Sequence, residues 1–133
     1  MGRPQRLRLL LDTSVLIWWA NDNVRLSEAA RNGIRHAEMI FVSAITAMEL
    51  STKLRIGKLD EARLLVEEFD RRCGDEGFVL LPLTPKHGLF AGSINAEPRD
   101  PFDRMLAAQA IIEDLTLVSS DIAFDALGAR RLW

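Results

Sequence analysis

Four acidic residues stand where a folded chain ordinarily keeps carboxylates away: Asp12, Glu49, Asp103 and Asp121. Asp12 ends the apolar run Leu7, Leu9, Leu10, Leu11, and Asp121 follows Leu117-Val118-Ser119-Ser120 in the same manner. Glu49 shares a helical face with Ile45, Thr52 and Ile56, while Asp103 aligns with Ala107 and Ala110 at i+4 and i+7. In open α/β sheets ligands gather at the carboxyl ends of the strands, where Asp12 and Asp121 would stand. Burying several carboxylates together is costly unless something positive holds them. The bases cluster mostly on the hairpin and at the chain ends, with Arg99 and Arg104 beside Asp103. An oxygen-only donor set without His or Cys selects a hard cation, Mg2+ or Mn2+. Such an ion lowers the pKa of a bound water and orients a phosphate, which is the apparatus of metal-assisted phosphodiester hydrolysis.

Each acid also has a local reading. Asp12 and Asp121 suit helix caps, Asp103 suits the positive end of a helix, and Glu49 suits a solvated helix face. These local readings are independent of one another, whereas a single site accounts for all four acids.

The elements that would position the acids alternate between strand and helix, the pattern of an α/β domain. Leu7–Leu11 reads as a strand buried on both faces, with Thr13 or Ser14 capping a helix that carries Val15, Leu16, Trp18 and Trp19. A second helix opens at Ser27, a second strand covers Met39–Val42, and Ser43 caps a helix that Gly57 closes. A further helix from Asp60 would complete a helical hairpin. Phe78–Leu83 is a third strand stopped by Pro82, and Pro85 starts a helix reaching about Asn95. A two-proline loop from 96 to 101 leads into a long helix over Phe102–Leu115 and a strand over Thr116–Ser119. A short helix over Asp121–Leu127 and a fifth strand over Ala129–Trp133 end the chain.

The 133 residues suit one domain spanning 1–133, and a hydrophobic content of 48% allows a real core. The net charge of −2 argues against binding polyanions by bulk charge, yet setting the four acids aside leaves 17 bases against 15 acids, or +2. The single Cys73 fits a reducing, cytoplasmic setting. Arg3, Arg6 and Arg8 before a short apolar run faintly suggest a leader, but Asp12 interrupts the run and no small-x-small cleavage site follows. No run is apolar and long enough to expect a membrane span.

With these residues in place, the chain resembles a PIN domain of the VapC toxin type along essentially its whole length. LLLDTSVLIW, SAITAME, RDPFDRMLAAQA and LVSSD carry the likeness, the third string being the most specific. The resemblance implies a three-layer α/β/α fold around a short parallel sheet of four to five strands with a helical hairpin. It implies an endoribonuclease whose Asp12, Glu49 and Asp103 bind Mg2+ or Mn2+, with Asp121 as a fourth, more variable acid. Ser14 and Ser119 would support the metal or substrate, Asp100 would fix the loop, and Arg104 would pair with an acid or meet a phosphate. Pro98 stands where many relatives carry a histidine before Arg-Asp-Pro, so no histidine-assisted step is expected. Implied partners are an RNA substrate, with transfer RNA a family-level candidate, a VapB-type antitoxin reaching the cleft with an arginine, and a second copy in a homodimer. In-line attack would leave 5′-phosphate and 3′-hydroxyl ends, with a second cation reaching Asp103 and Asp121 when substrate is bound.

Two competing readings are weaker. A haloacid-dehalogenase type phosphatase needs a second aspartate two residues after the first, where Ser14 stands. A catalytically silent PIN module that binds RNA or a protein fits poorly with an intact acid set. His36 and His87 suit surface or partly buried roles, Trp18 and Trp19 suit core and a subunit interface, and Lys53, Arg55, Lys58 and Arg63 suit a basic rim.

Overall fold

The central strand β1 (Arg8–Leu11) buries Leu9, Leu10 and Leu11 completely. Leu9 and Leu11 join Val15, Leu16, Val42 and Leu50 on one side of the sheet. Leu10 joins Leu106, Ala107, Leu117 and Phe124 on the other. Alternate residues thus face opposite layers, and because both layers are apolar the strand reads as an unbroken hydrophobic run. The computed structural model describes residues 7–58, 60–97 and 100–133. Arg3, Arg6, Pro98 and Arg99, singled out in the sequence, lie outside these.

After β1 come α1 (Thr13–Ala20), α2 (Glu28–His36), β2 (Met39–Ser43) and α3 (Ala44–Arg55). A 3-10 turn (Asp60–Ala62) leads to α4 (Arg63–Glu67), α5 (Phe69–Asp75), β3 (Val79–Leu81) and α6 (Pro85–Ser93). The chain closes with α7 (Pro101–Ile112), β4 (Thr116–Val118), α8 (Ala123–Ala126) and β5 (Arg131–Leu132). The five strands are all parallel in the order β3-β2-β1-β4-β5, with helices on both faces, a three-layer α/β/α architecture.

Local chemistry explains most boundaries. Ser27 Oγ accepts from Ala30 N–H at 3.1 Å and Ser43 Oγ from Ile45 N–H at 3.0 Å, so both serines cap as expected. Thr84 caps α6 reciprocally with His87, whose Nδ1 accepts from Thr84 N–H at 3.1 Å. His87 is buried more deeply than its sequence context suggests, its Nε2 lying 3.0 Å from Glu113. Trp18 meets Trp133 with ring centroids 5.8 Å apart, so this tryptophan closes the β5 end of the core. Burial pushes the free Cys73 thiol up to about 11, leaving it as packing.

The second arm of the hairpin differs from expectation. Residues 60–75 form a 3-10 turn and two short helices, because the backbone leaves helical geometry at Glu68 (φ −125°, ψ 33°). The Glu68 carboxylate there meets Arg71 at 2.9 Å. The break turns Leu65 and Cys73 into the same core cluster.

Replacing Ser43 with alanine removes a buried cap and is expected to cost about 1 kcal/mol, lowering the melting temperature by about 4 °C. Ser51→Ala, on the exposed face of the same helix, serves as the control and should leave the melt unchanged.

Candidate active site

Strands β2 and β3 are laid on one side of β1, and β4 and β5 on the other. Where the direction of strand addition reverses, the connections leave on opposite faces and open a crevice at the carboxyl ends. The register pairs Leu11 with Val118, so the next residues, Asp12 and Ser119, come side by side. Asp12 N–H donates to the Val118 carbonyl at 3.1 Å, which extends the ladder by one residue and fixes the aspartate at the strand end.

Asp12 occupies the N-cap position of α1, yet its side chain makes no capping bond. Instead Ser119 Oγ donates to Asp12 Oδ2 at 2.7 Å and itself accepts from Asp121 N–H at 3.0 Å. The local reading of Asp12 as a helix cap is therefore overturned, and so is the expectation that Thr13 or Ser14 caps α1. Thr13 is the buried first residue of that helix, and its hydroxyl donates to Glu49 Oε1, with Thr46 Oγ1 3.4 Å away. Glu49 reaches this point because α3 starts directly on β2, whose Ser43 carries the cap. Lys53, one turn further along α3, holds the second oxygen of Glu49 at 3.1 Å.

Asp103 enters from the first turn of α7. The N-cap of that helix is Asp100, which accepts from Phe102 N–H at 2.8 Å and Asp103 N–H at 3.4 Å, so Asp103 is not needed there. Asp121 keeps part of its local reading, since its Oδ1 accepts from Ala123 N–H at 2.9 Å.

The four acids act on one another through their charges. Burial, reinforced by the charges of Glu49 and Asp121 and opposed by the Ser119 hydroxyl, pushes Asp12 up to about 6. Burial first, then the negative charges of Asp100, Asp12, Asp121 and Glu49, push Asp103 up to about 7. Four stretches remote along the chain thus come within range of one another's charge at the carboxyl edge of the sheet.

Among the described residues, no three Asp, Glu, His or Cys side chains stand as a ready-made ion cage. The donor chemistry nevertheless fits a hard divalent cation. It consists of oxygen ligands only, of which Asp12, Glu49 and Asp103 are half-buried and mutually repelling, with two of them oriented by hydroxyls.

The supporting residues divide. Ser119 bonds Asp12, and Asp100 caps α7. Ser14 makes no side-chain hydrogen bond among the described residues, and its neighbour Thr13 takes that role. Arg104 donates to the carbonyls of Ala91 at 3.0 Å, Ala96 at 2.9 Å and Ile94, so it pins the turn between α6 and α7. Thr13 and Lys53, expected as a helix cap and as part of a basic rim, both meet Glu49 instead. Their signals were a threonine at a buried helix position and a lysine four residues after Glu49.

Fold and cleft together define an α/β protein whose acids gather at the switch point of a parallel sheet. Comparison with family profiles matches residues 9–129 to the PIN domain. Ribonuclease VapC22 of Mycobacterium tuberculosis is 31% identical over 114 residues, 85% of this chain and 86% of that protein. The FitAcB crystal structure from Neisseria gonorrhoeae superposes with a TM-score of 0.67 at 22% identity, covering 92% of this chain and 95% of that one. A toxin-antitoxin complex from Klebsiella pneumoniae gives a TM-score of 0.55 at 16% identity, covering 89% of this chain and 90% of that one. The chain belongs to the PIN domain family, among its VapC-type toxins. Among the described residues no helix is long and apolar enough to cross a membrane.

Two measurements follow from the charges. Because Asp12 and Asp103 hold protons up to about 6 and 7 when folded, they favour the folded state below pH 4 and lose that contribution as pH rises through 7. In EDTA the wild-type melting temperature should fall between pH 4 and pH 8, and Asp103→Asn should flatten that fall. In Ser119→Ala, carbon-detected NMR titration should place the Asp12 pKa above its wild-type value, since the lost hydrogen bond favours the charged form.

Proposed function

We propose that this protein is a Mg2+- or Mn2+-dependent endoribonuclease, the toxin of a toxin–antitoxin pair, that hydrolyses RNA phosphodiester bonds at the cleft of Asp12, Glu49, Asp103 and Asp121. The carrying observation is that Asp12, placed at a helix N-terminus, makes no side-chain capping bond and instead accepts from Ser119 Oγ across the sheet, within reach of the charges of Glu49 and Asp121. The name of the VapC22 ribonuclease supports RNA as the substrate class. The Klebsiella toxin-antitoxin complex supports an antitoxin partner.

In this reading Asp12, Glu49 and Asp103 would hold the cation, and Asp121, exposed at the β4 side, would join them at the rim. When bound, Mg2+ or Mn2+ supplies a more acidic water and positive charge beside the phosphate. The chain does the positioning. Ser119 fixes the rotation of Asp12, Thr13 fixes that of Glu49, and Asp100 with Arg104 fixes the first turn of α7 that carries Asp103. The Ser119 hydroxyl also favours the charged form of Asp12 against its burial. In-line hydrolysis would leave 5′-phosphate and 3′-hydroxyl ends.

An antitoxin arginine laid across the four carboxylates would satisfy the same charge deficit that the cation meets, through bidentate hydrogen bonds. The family resemblance further supports a homodimer acting in the cytoplasm as a single PIN domain over 1–133.

Incubating the protein with total RNA should give fragments in Mg2+ or Mn2+ and none in excess EDTA. Asp12→Ala and Asp103→Ala should each lower cleavage by about 100-fold or more while remaining folded by circular dichroism. Cleavage retained by either variant would defeat the nuclease reading, and RNA bound but not cut by the wild type would point to a silent module.

A further inference from the structure

The cleft already contains one positive charge. Among the described residues, Lys53 is the one base paired with any of the four acids, its Nζ 3.1 Å from Glu49 Oε2. The other basic residues of the hairpin, Arg55, Lys58 and Arg63, are exposed and pair with none of the four. The pair is graded from inside to outside: the Glu49 side chain is 12% exposed and the Lys53 side chain 37%. The carboxylate is therefore held in the cleft while the ammonium lies at its rim on a flexible four-carbon stem. Thr13 bonds the opposite oxygen of Glu49, so the carboxylate keeps its place if the lysine leaves.

We propose that Lys53 is a built-in competitor of the divalent cation: its ammonium holds Glu49 in the ion-free cleft, must be displaced before Glu49 can act as a ligand, and thereby sets how tightly the ion is bound. The proposal deepens the reading above and rests on it. Lys53 holds one oxygen of Glu49 and the Thr13 hydroxyl the other, so a divalent ion at Glu49 meets an occupied carboxylate, and two positive charges at that distance repel. Coupling of this kind is reciprocal, so what the ammonium gains from Glu49 in the empty cleft is subtracted from the affinity for the ion. The geometry favours exchange over permanent pairing, because Lys53 can swing into water whereas Glu49 cannot follow. Lys53 is in these terms a positioning residue that tunes cation occupancy.

The test is Mn2+ binding, followed by the paramagnetic resonance of free Mn2+ at pH 7.5 and fixed ionic strength. Wild type is compared with Lys53→Met, Lys53→Gln and Lys53→Arg, with Lys86→Met on exposed α6 as the control for net charge. Both neutral variants should bind Mn2+ roughly 3- to 10-fold more tightly. Lys53→Arg should stay near wild type and Lys86→Met within about twofold, and raising the salt concentration should shrink the gain. Equal or weaker binding by the neutral variants, with binding lost in Asp12→Asn, overturns the role of Lys53 and leaves the cation site standing. No binding by wild type, or binding that survives Asp12→Asn combined with Asp103→Asn, overturns the cation site and this proposal together.

Discussion

Mutual repulsion among carboxylates at one edge of a parallel sheet is the constraint around which this molecule is built. Charges that could relax apart would do so, and only elements unable to retreat can keep them together. Asp12 cannot retreat because β1 is packed on both faces and its own N–H extends the ladder to Val118. Asp103 cannot retreat because Asp100 caps its helix and Arg104 pins the turn before it. Burial first, and then the charges of their neighbours, push these two acids up to about 6 and about 7. Folded proteins tolerate such local conflict where function requires it and compensate for it through the surrounding core.

The compensation is visible in the neighbours of the acids. Ser119 and Thr13 donate to Asp12 and Glu49, and Lys53 offsets one negative charge. Ser119 Oγ also accepts from the Asp121 N–H, so one hydroxyl links the two strand ends on either side of the switch point. The Ser119 contact favours the ionised form of Asp12, the form a hard cation needs. The arrangement is a set of anions kept ready rather than a formed cage, consistent with the ion completing the geometry.

Much of this was legible in the chain, and the exceptions have physical reasons. The central strand showed itself because a strand buried on both faces leaves an apolar run, and the serine caps at 27 and 43 announced their helices. The break at Glu68 did not, because the apolar residues on either side of it keep a helical spacing while the backbone turns. Adjacent hydroxyls at 13 and 14 are chemically alike, and only the phase of α1 decides which one meets Glu49. Arg104 lies beside the acids in sequence, but the carbonyls of a tight turn need donors, and it answers that need. Lys53 looked like one member of a solvated rim, since its distance from Glu49 along the chain does not say which pairs form at a cleft.

The claim that these acids are one hard-cation site is most directly tested by soaking crystals in Mn2+ and collecting diffraction with anomalous signal at the manganese edge. The account requires a peak about 2.2 Å from carboxylate oxygens of both Asp12 and Asp103, with Glu49 turned toward it. A cleft that stays free of anomalous density at millimolar Mn2+, or a peak held by other residues alone, would contradict it.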